Sequence, residues 1–289
     1  MLANWYSLPS ITISGKLDLM EAAIRELVEL SRYAGEHPRL VQGGGGNCSV
    51  KASGKMLIKA SGYFLKEVSK RTGYAVIDLK TGLPAGTECR KPSIEINFHR
   101  LLSDYVIHTH PLAVGILVCA KQGARTFRKL FTEPSCRWIG YASPGKNLSK
   151  RFQSALRERT VRPDQPQVFF MANHGLVVTA GSKESCINTH EQVVQKLESF
   201  FGKITPQKAA PPAGRYLTPD HAVFANVPAK SSSSRQIATV RDMTVFIRYA
   251  LGGIAKQKWD PAWLSDDAVR FVLEMSGEKY RQNLLEGSL

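Results

Sequence analysis

Apolar residues recur at helical spacing over residues 18–33, DLMEAAIRELVELSRY, where Met20, Ile24, Leu27 and Leu30 form one stripe. Asp18 is placed to cap this helix, and Gly35 and Pro38 to stop it. The period then changes. After the glycine run 43–46, NCSVKA and KMLIKA read as two strands about a turn at Ser53-Gly54, and YAVIDL reads as a third. A helix is expected after Pro92, capped by Ser93 and running through INFHRLL. DYVIHTH is a strand that leads into an apolar helix opened by Pro111, a residue tolerated at a helix N-terminus. QVFFMA and LVVTA are short buried strands on either side of Asn173-His174-Gly175, a tight-turn composition. Ser182 then caps a long helix through CINTHEQVVQKLESFF. Strands and helices interleave, which predicts an α/β or mixed α+β fold on one central sheet.

Composition shifts after residue 204. TPQKAAPPAG has a linker's composition, and the serine run 231–234 is a second low-complexity patch. Beyond it, 237–251 and 265–285 are expected helices. The chain therefore divides into 1–204, expected to be the catalytic domain, and a mostly helical C-terminal extension, 205–289, expected to pack on it. RYLTPDHAVF in that extension is a candidate to cover the active site or to build an interface, and His221 within it is expected to be a packing residue.

At 43% apolar and 22% charged over 289 residues, the composition is that of a globular protein. No apolar stretch reaches the roughly 18 residues of a transmembrane helix, and no secretory leader is expected. Five cysteines (Cys48, Cys89, Cys119, Cys136 and Cys186) are odd in number and lack a Cys-x-x-Cys pair, which suits reduced thiols and a cytoplasmic location. The anomaly is charge: 39 Lys+Arg against 24 Asp+Glu, a net +15. Residues 1–204 hold 28 basic and 16 acidic side chains and residues 205–289 hold 11 and 8, so the excess lies in the front segment. It calls for an anionic partner. No nucleic-acid motif is present, and the aromatics are not interleaved with basic residues for base stacking, so neither nucleic acid nor a membrane is the expected partner.

The sharpest chemical signal is His108-Thr109-His110. Residues i and i+2 of a strand point to one face, so both imidazoles can reach one ion. His174, wedged between two buried strands, is the natural third ligand, since a buried histidine is costly without a partner. Three histidines leave a coordination position open, the catalytic rather than the structural pattern for zinc. Cys48 and Cys119 lie at no ligand-like spacing from them. Glu95, in PSIEINFHR, is a candidate general base or a fourth ligand displaced by substrate; position alone favours a surface glutamate at a helix N-terminus. GGGGN (43–47) is neither a P-loop nor a dinucleotide fingerprint. With Ser61-Gly62 and Ser93 it can line an anion pocket of backbone N–H groups and hydroxyls, to which Lys51 and Lys59 add charge.

Taken in order, Gly46-Asn47-Cys48-Ser49, Ser61-Gly62, Pro92-Ser93-Ile94-Glu95, His108/His110 and Asn173-His174-Gly175 resemble the class II aldolase/adducin family over residues 20–202. GGGGN, KASG and KPSIE are most similar to the aldolase domain of bifunctional rhamnulose-phosphate aldolase/dehydrogenases, with no dehydrogenase segment expected in these residues. The resemblance implies a three-layer αβα fold with a central, mainly antiparallel sheet, and a homotetramer with active sites at subunit interfaces. It implies zinc on His108, His110 and His174, with Glu95 as acid/base group. Asn47, Ser61, Gly62 and Ser93 would hold a phosphate, with Gly46 and Lys59 beside them. Tyr141 is the candidate tyrosine given to a neighbouring subunit's site. The implied reaction is aldol cleavage or formation in a phosphorylated ketose, through an enediolate stabilised by zinc. Ile94 departs from smaller sugar-phosphate aldolases, which often carry a second hydroxyl there. Decarboxylases and 4-epimerases of sugar phosphates share these ligands, and an adducin-like domain without catalysis is the third alternative. His-Thr-His-Pro also opens a zinc isopeptidase motif, but Val118 and Lys121 stand where that motif needs serine and aspartate.

Overall fold

The computed structural model describes residues 13–85, 90–157, 165–225, 233–277 and 279. Among them one seven-stranded sheet runs in the order β3-β2-β1-β4-β7-β6-β5. Its strands are β1 (Asn47–Ala52), β2 (Lys55–Lys59), β3 (Tyr74–Asp78), β4 (Tyr105–Thr109), β5 (Cys136–Ile139), β6 (Gln167–Met171) and β7 (Gly175–Ala180). Every pairing is antiparallel except that of β5 with β6. The expected mainly antiparallel sheet is therefore observed.

Helices cover both faces. On one lie α1 (Ile13–Gly35), α3 (Leu112–Val118), α6 (Lys183–Phe201) and α8 (Ser234–Lys256), packed over Cys48, Val50, Ile107, Phe170 and Val178. On the other lie α2 (Ile96–His99) and α5 (Lys146–Arg157), whose Phe98, Leu148 and Phe152 meet Val106, Phe169 and Val177. Three further α-helices lie among the described residues: α4 (Gly123–Leu130), α7 (Pro219–Phe224) and α9 (Asp266–Glu274). Strand β4 sits at the centre between β1 and β7. Its alternate residues serve opposite faces, so Ile107 joins one core and Val106 the other.

Several boundaries differ from those expected. Helix α1 starts at Ile13, so Asp18 lies inside it and is not its cap, while Leu27 and Leu30 are buried as the stripe predicts. The helix expected from Ser93 shrinks to the single turn of α2, with Glu95 at its N-cap position. Ser93 Oγ instead accepts from the nearby Glu95 N–H and, across the fold, from Asn47 Nδ2. Pro111 occupies the N-cap position of α3, one residue earlier than expected. Ser182 caps α6, its side chain accepting from the Ser185 N–H. Of the 265–285 segment, α9 takes the first part, capped by Ser265 and ended at an extended Met275; residues 280–285 lie outside the described residues. Cys48, Cys119, Cys136 and Cys186 are free thiols, and burial pushes Cys48 up to about 12; Cys89 lies outside the described residues.

Candidate metal centre and adjoining pocket

The end of β4 and the β6–β7 turn bring three imidazoles together. His108 and His110 share a face, with their Nε2 atoms 3.2 Å apart. The turn before β7 places His174 beside them because Asn173 accepts a left-handed φ of 54°, which asparagine tolerates better than most residues. Gly175 must be small: a Cβ there would lie 2.4 Å from the Thr109 carbonyl oxygen and 2.7 Å from the His110 ring. One ligand nitrogen from each histidine lies within 4.8 Å of the others, and all three residues are buried.

Glu95 enters from α2 on the same face. Its Oε2 is 3.2 Å from His108 Nε2, and its Oε1 is 3.3 Å from His174 Nε2. Asn47, opposite His108 in the β1–β4 register, donates from Nδ2 to Glu95 Oε2 at 2.7 Å and to Ser93 Oγ at 3.1 Å. Burial alone would raise the Glu95 pKa. The charges of His108 and His174 and the hydrogen bonds from His108 and Asn47 outweigh burial and hold the carboxyl well below its usual range. Glu95 is thus a buried, anionic group and not the surface residue that its sequence position favours. Burial and the neighbouring His108 push His110 down to about 3, which keeps that imidazole neutral.

These groups fit a divalent metal. His108 places its Nδ1 3.0 Å from the Leu176 carbonyl oxygen, to which it donates. That contact directs Nε2 toward the other two imidazoles, the arrangement that metal-binding histidines adopt. Three nitrogen donors with a carboxylate alongside form an open, catalytic type of set.

Beside the centre is a pocket lined by Gly44, Gly46, Asn47, Lys59, Ser61, Gly62, Ser93, Glu95, His110 and His174. The glycine run lets backbone crowd the centre: a Cβ on Gly46, whose φ is 64°, would lie 2.6 Å from the His108 carbonyl oxygen. Lys59 is buried, and its Nζ donates to the Tyr63 and Gly44 carbonyl oxygens, joining the β2 end to the glycine run. Lys51 points elsewhere, donating to the Arg100 and Leu102 carbonyl oxygens.

Tyr141 is not brought to this pocket in its own chain. It lines a separate cleft with Asn147, Arg151 and Phe271, its hydroxyl buried without a hydrogen-bond partner. His221 packs as expected: its Nδ1 accepts from the Leu217 N–H, and its ring meets Tyr216 edge-on. Three neighbouring residues escaped the sequence reading. Asp220 lines the pocket from α7. His99 pairs with Ser49 at 2.7 Å, and His190 with Thr109 at 2.6 Å. Thr218-Pro219-Asp220 is a legible helix start, with a capping hydroxyl, proline at the first position and an acidic first turn, but nothing local says what that helix faces.

"Uncharacterized oxidoreductase YuxG" of Bacillus subtilis (strain 168) is 25% identical over 207 residues, covering 62% of this chain and 29% of that protein. The chain therefore spans less than a third of the length of the curated relative it matches. Among solved structures, the N-terminal class II aldolase domain of a conserved protein from Thermoplasma acidophilum superposes with a TM-score of 0.54 at 21% identity, covering 70% of this chain and 100% of that one. A sugar-phosphate aldolase from Thermotoga maritima gives 0.50 at 16% identity, covering 62% and 94%. At these identities the likeness speaks for the fold alone. The family described as "Class II Aldolase and Adducin N-terminal domain" matches residues 25–199, and the chain belongs to it.

Proposed function

We propose that this protein is a metal-dependent aldolase, an aldehyde-lyase that cleaves or forms a carbon–carbon bond in a phosphorylated ketose or related anionic sugar. One observation carries the reading: His108, His110 and His174 cluster beside an anionic Glu95 at the edge of a pocket that Ser61, Ser93 and Lys59 also line. The three histidines would hold zinc or another divalent metal, which when bound supplies Lewis-acid polarisation of a substrate carbonyl.

The rest of the chemistry belongs to the chain. In bond formation Glu95 takes the proton from the carbon next to the carbonyl while the aldehyde oxygen gains one as it becomes a hydroxyl, and cleavage runs the same transfers backwards. Asn47 orients that carboxylate through the 2.7 Å bond to Oε2. The Ser61 and Ser93 hydroxyls, the Gly62 backbone and the Lys59 ammonium receive the phosphate, and Gly46 leaves room for the backbone to approach it. Burial of Asn47, Glu95 and the histidines limits water at the reacting carbon. The front-segment excess of positive charge steers an anionic substrate inward. In this reading the protein works in cytoplasmic carbohydrate metabolism as a homotetramer, with Tyr141 reaching a neighbouring subunit's pocket.

The same groups serve decarboxylation or 4-epimerisation of a sugar-acid phosphate, so the test spans these reactions. Zinc-loaded protein is assayed against a panel of phosphorylated ketoses and keto-acids, with Glu95→Gln in parallel. Cleavage of a ketose phosphate that Glu95→Gln abolishes supports the reading. Turnover of keto-acids alone reassigns the reaction, and near-normal turnover by Glu95→Gln removes Glu95 from it. A zinc-loaded protein inert to the whole panel favours the non-catalytic, adducin-like alternative.

A further inference from the structure

The segment beyond the family-matched residues 25–199 reaches the candidate metal centre and its adjoining pocket at three points. The Asn173 amide, next to His174, donates to the Leu217 carbonyl oxygen at 2.9 Å and also to that of Ala262. Arg235 of α8 donates to the Gly62 carbonyl oxygen at 2.7 Å while pairing with Glu67. The third contact involves a histidine of the centre itself: Asp220 Oδ2 lies 3.6 Å from His110 Nδ1, in ion-pair range and just outside hydrogen-bond range.

The two nitrogens of His110 have different surroundings. Nε2 faces His108 Nε2 at 3.2 Å, whereas Nδ1 faces Asp220. The Asp220 side chain is only 11% exposed and lines the same pocket. Its neighbours hold it there. Thr218 Oγ1 accepts from the His221 N–H, Pro219 occupies the first helical position, and His221 Nδ1 accepts from the Leu217 N–H. The glycine run makes room for the pair: a Cβ on Gly45 would lie 2.9 Å from His110 Nδ1 and 3.1 Å from Asp220 Oδ2.

We infer that Asp220 is a positioning residue for His110, supplied by the C-terminal extension: its carboxylate faces Nδ1, keeps the ring proton on that nitrogen and leaves Nε2 as the free ligand nitrogen. The Leu176 carbonyl oxygen does the same for His108 through the sheet. His110 lies past the last residue of β4, where no strand partner can do so, and its orienting group comes from a segment about a hundred residues away. The inference rests on the proposed metal site and adds that the extension is part of it. A carboxylate behind a metal-bound histidine fixes the ring's tautomer and orientation, and losing such a partner typically weakens metal binding about 10- to 100-fold.

Zinc affinity is measured by competition with a chromophoric chelator for wild type, Asp220→Ala and Asp220→Asn. Asp220→Ala is expected to bind about 10- to 100-fold more weakly. Asp220→Asn, whose amide oxygen can still accept from Nδ1, is expected to recover most of the loss. Circular dichroism monitors the fold; should Asp220→Ala fail to fold, the side-chain 15N resonances of His110 in the metal-free wild type and Asp220→Asn decide the matter. The wild-type ring is expected to be protonated at Nδ1. Zinc affinity of Asp220→Ala within twofold of wild type, or a wild-type His110 protonated at Nε2, overturns the inference. A wild type that binds no zinc overturns the metal-site reading, while the tautomer still decides the role of Asp220.

Discussion

Asn47 donates its side-chain amide to Glu95 Oε2 at 2.7 Å, tying the first residue of β1 to the carboxylate at the start of α2. The same amide reaches Ser93 Oγ, so one side chain aligns two groups of the proposed site. Hydrogen bonds to a charged group contribute about 1.5–3 kcal/mol. Asn47→Ala should therefore lower kcat/KM about 10- to 100-fold through misplacement of Glu95. Steady-state kinetics on the best substrate of the panel checks this. An unchanged kcat/KM would show that Glu95 needs no such support.

Metal removal should cost stability, because the histidines are brought together only by the folded sheet. A ligand present at a hundred times its Kd stabilises by about 2.7 kcal/mol, which for a domain of this size corresponds to about 5–10 °C in Tm. Differential scanning calorimetry of chelator-treated and zinc-reloaded protein should show a shift of that order, restored on reloading. Identical melts for the two samples would contradict a metal held by the folded centre.

Acid should destabilise the fold through histidines outside the candidate metal centre. His99 and His190 are fully buried, and burial pushes each down to about 3. Their folded pKa values lie below the unfolded value of about 6.5, so the unfolded chain takes up protons first as pH falls. The stability they confer is complete above about pH 6.5 and is lost progressively toward pH 3, by about 1.4 kcal/mol per pH unit for each group. Urea unfolding at pH 7, 6 and 5 should give falling midpoints. His190→Gln should flatten that dependence even where it lowers stability at pH 7.

The back of the β4 strand offers a separate test. Thr109 lies between the two histidines but faces α6, where its hydroxyl meets His190 Nε2 at 2.6 Å. The Tyr33 hydroxyl holds the other ring nitrogen at 2.9 Å and donates to Glu191. Thr109→Val keeps the shape and leaves a buried ring nitrogen without its partner, which costs about 1–3 kcal/mol. Equilibrium denaturation should report a loss in that range. A neutral result would mean that His190 re-pairs within the core.

Much of the centre is readable because its determinants are local. The alternation of β4 puts His108 and His110 on one face whatever the rest of the chain does. Asn173-His174-Gly175 has the composition of a tight turn, and Asn173 adopts the left-handed φ such a turn uses. Ser182 and Ser265 cap helices because a hydroxyl can satisfy a free backbone N–H wherever a helix starts. Other local signals misled. Ser93 has an N-cap's composition, yet its hydroxyl serves the Glu95 N–H and Asn47, and the helix behind it lasts one turn. The short edge strand β5, with only Ile139 buried, has no alternation to betray it.

By itself the sequence determined periods, caps and turns, together with the order of the motifs that assign the chain to its family. Those follow from steric and hydrogen-bonding preferences acting over a few residues. Only the tertiary structure decided that β1 lies beside β4 in a register that sets Asn47 against His108. It also decided that Glu95 is buried as an anion and that Asp220 stands behind His110. Those contacts join residues tens to more than a hundred positions apart, and their pairing is selected by the free energy of packing the whole core, which no local pattern encodes.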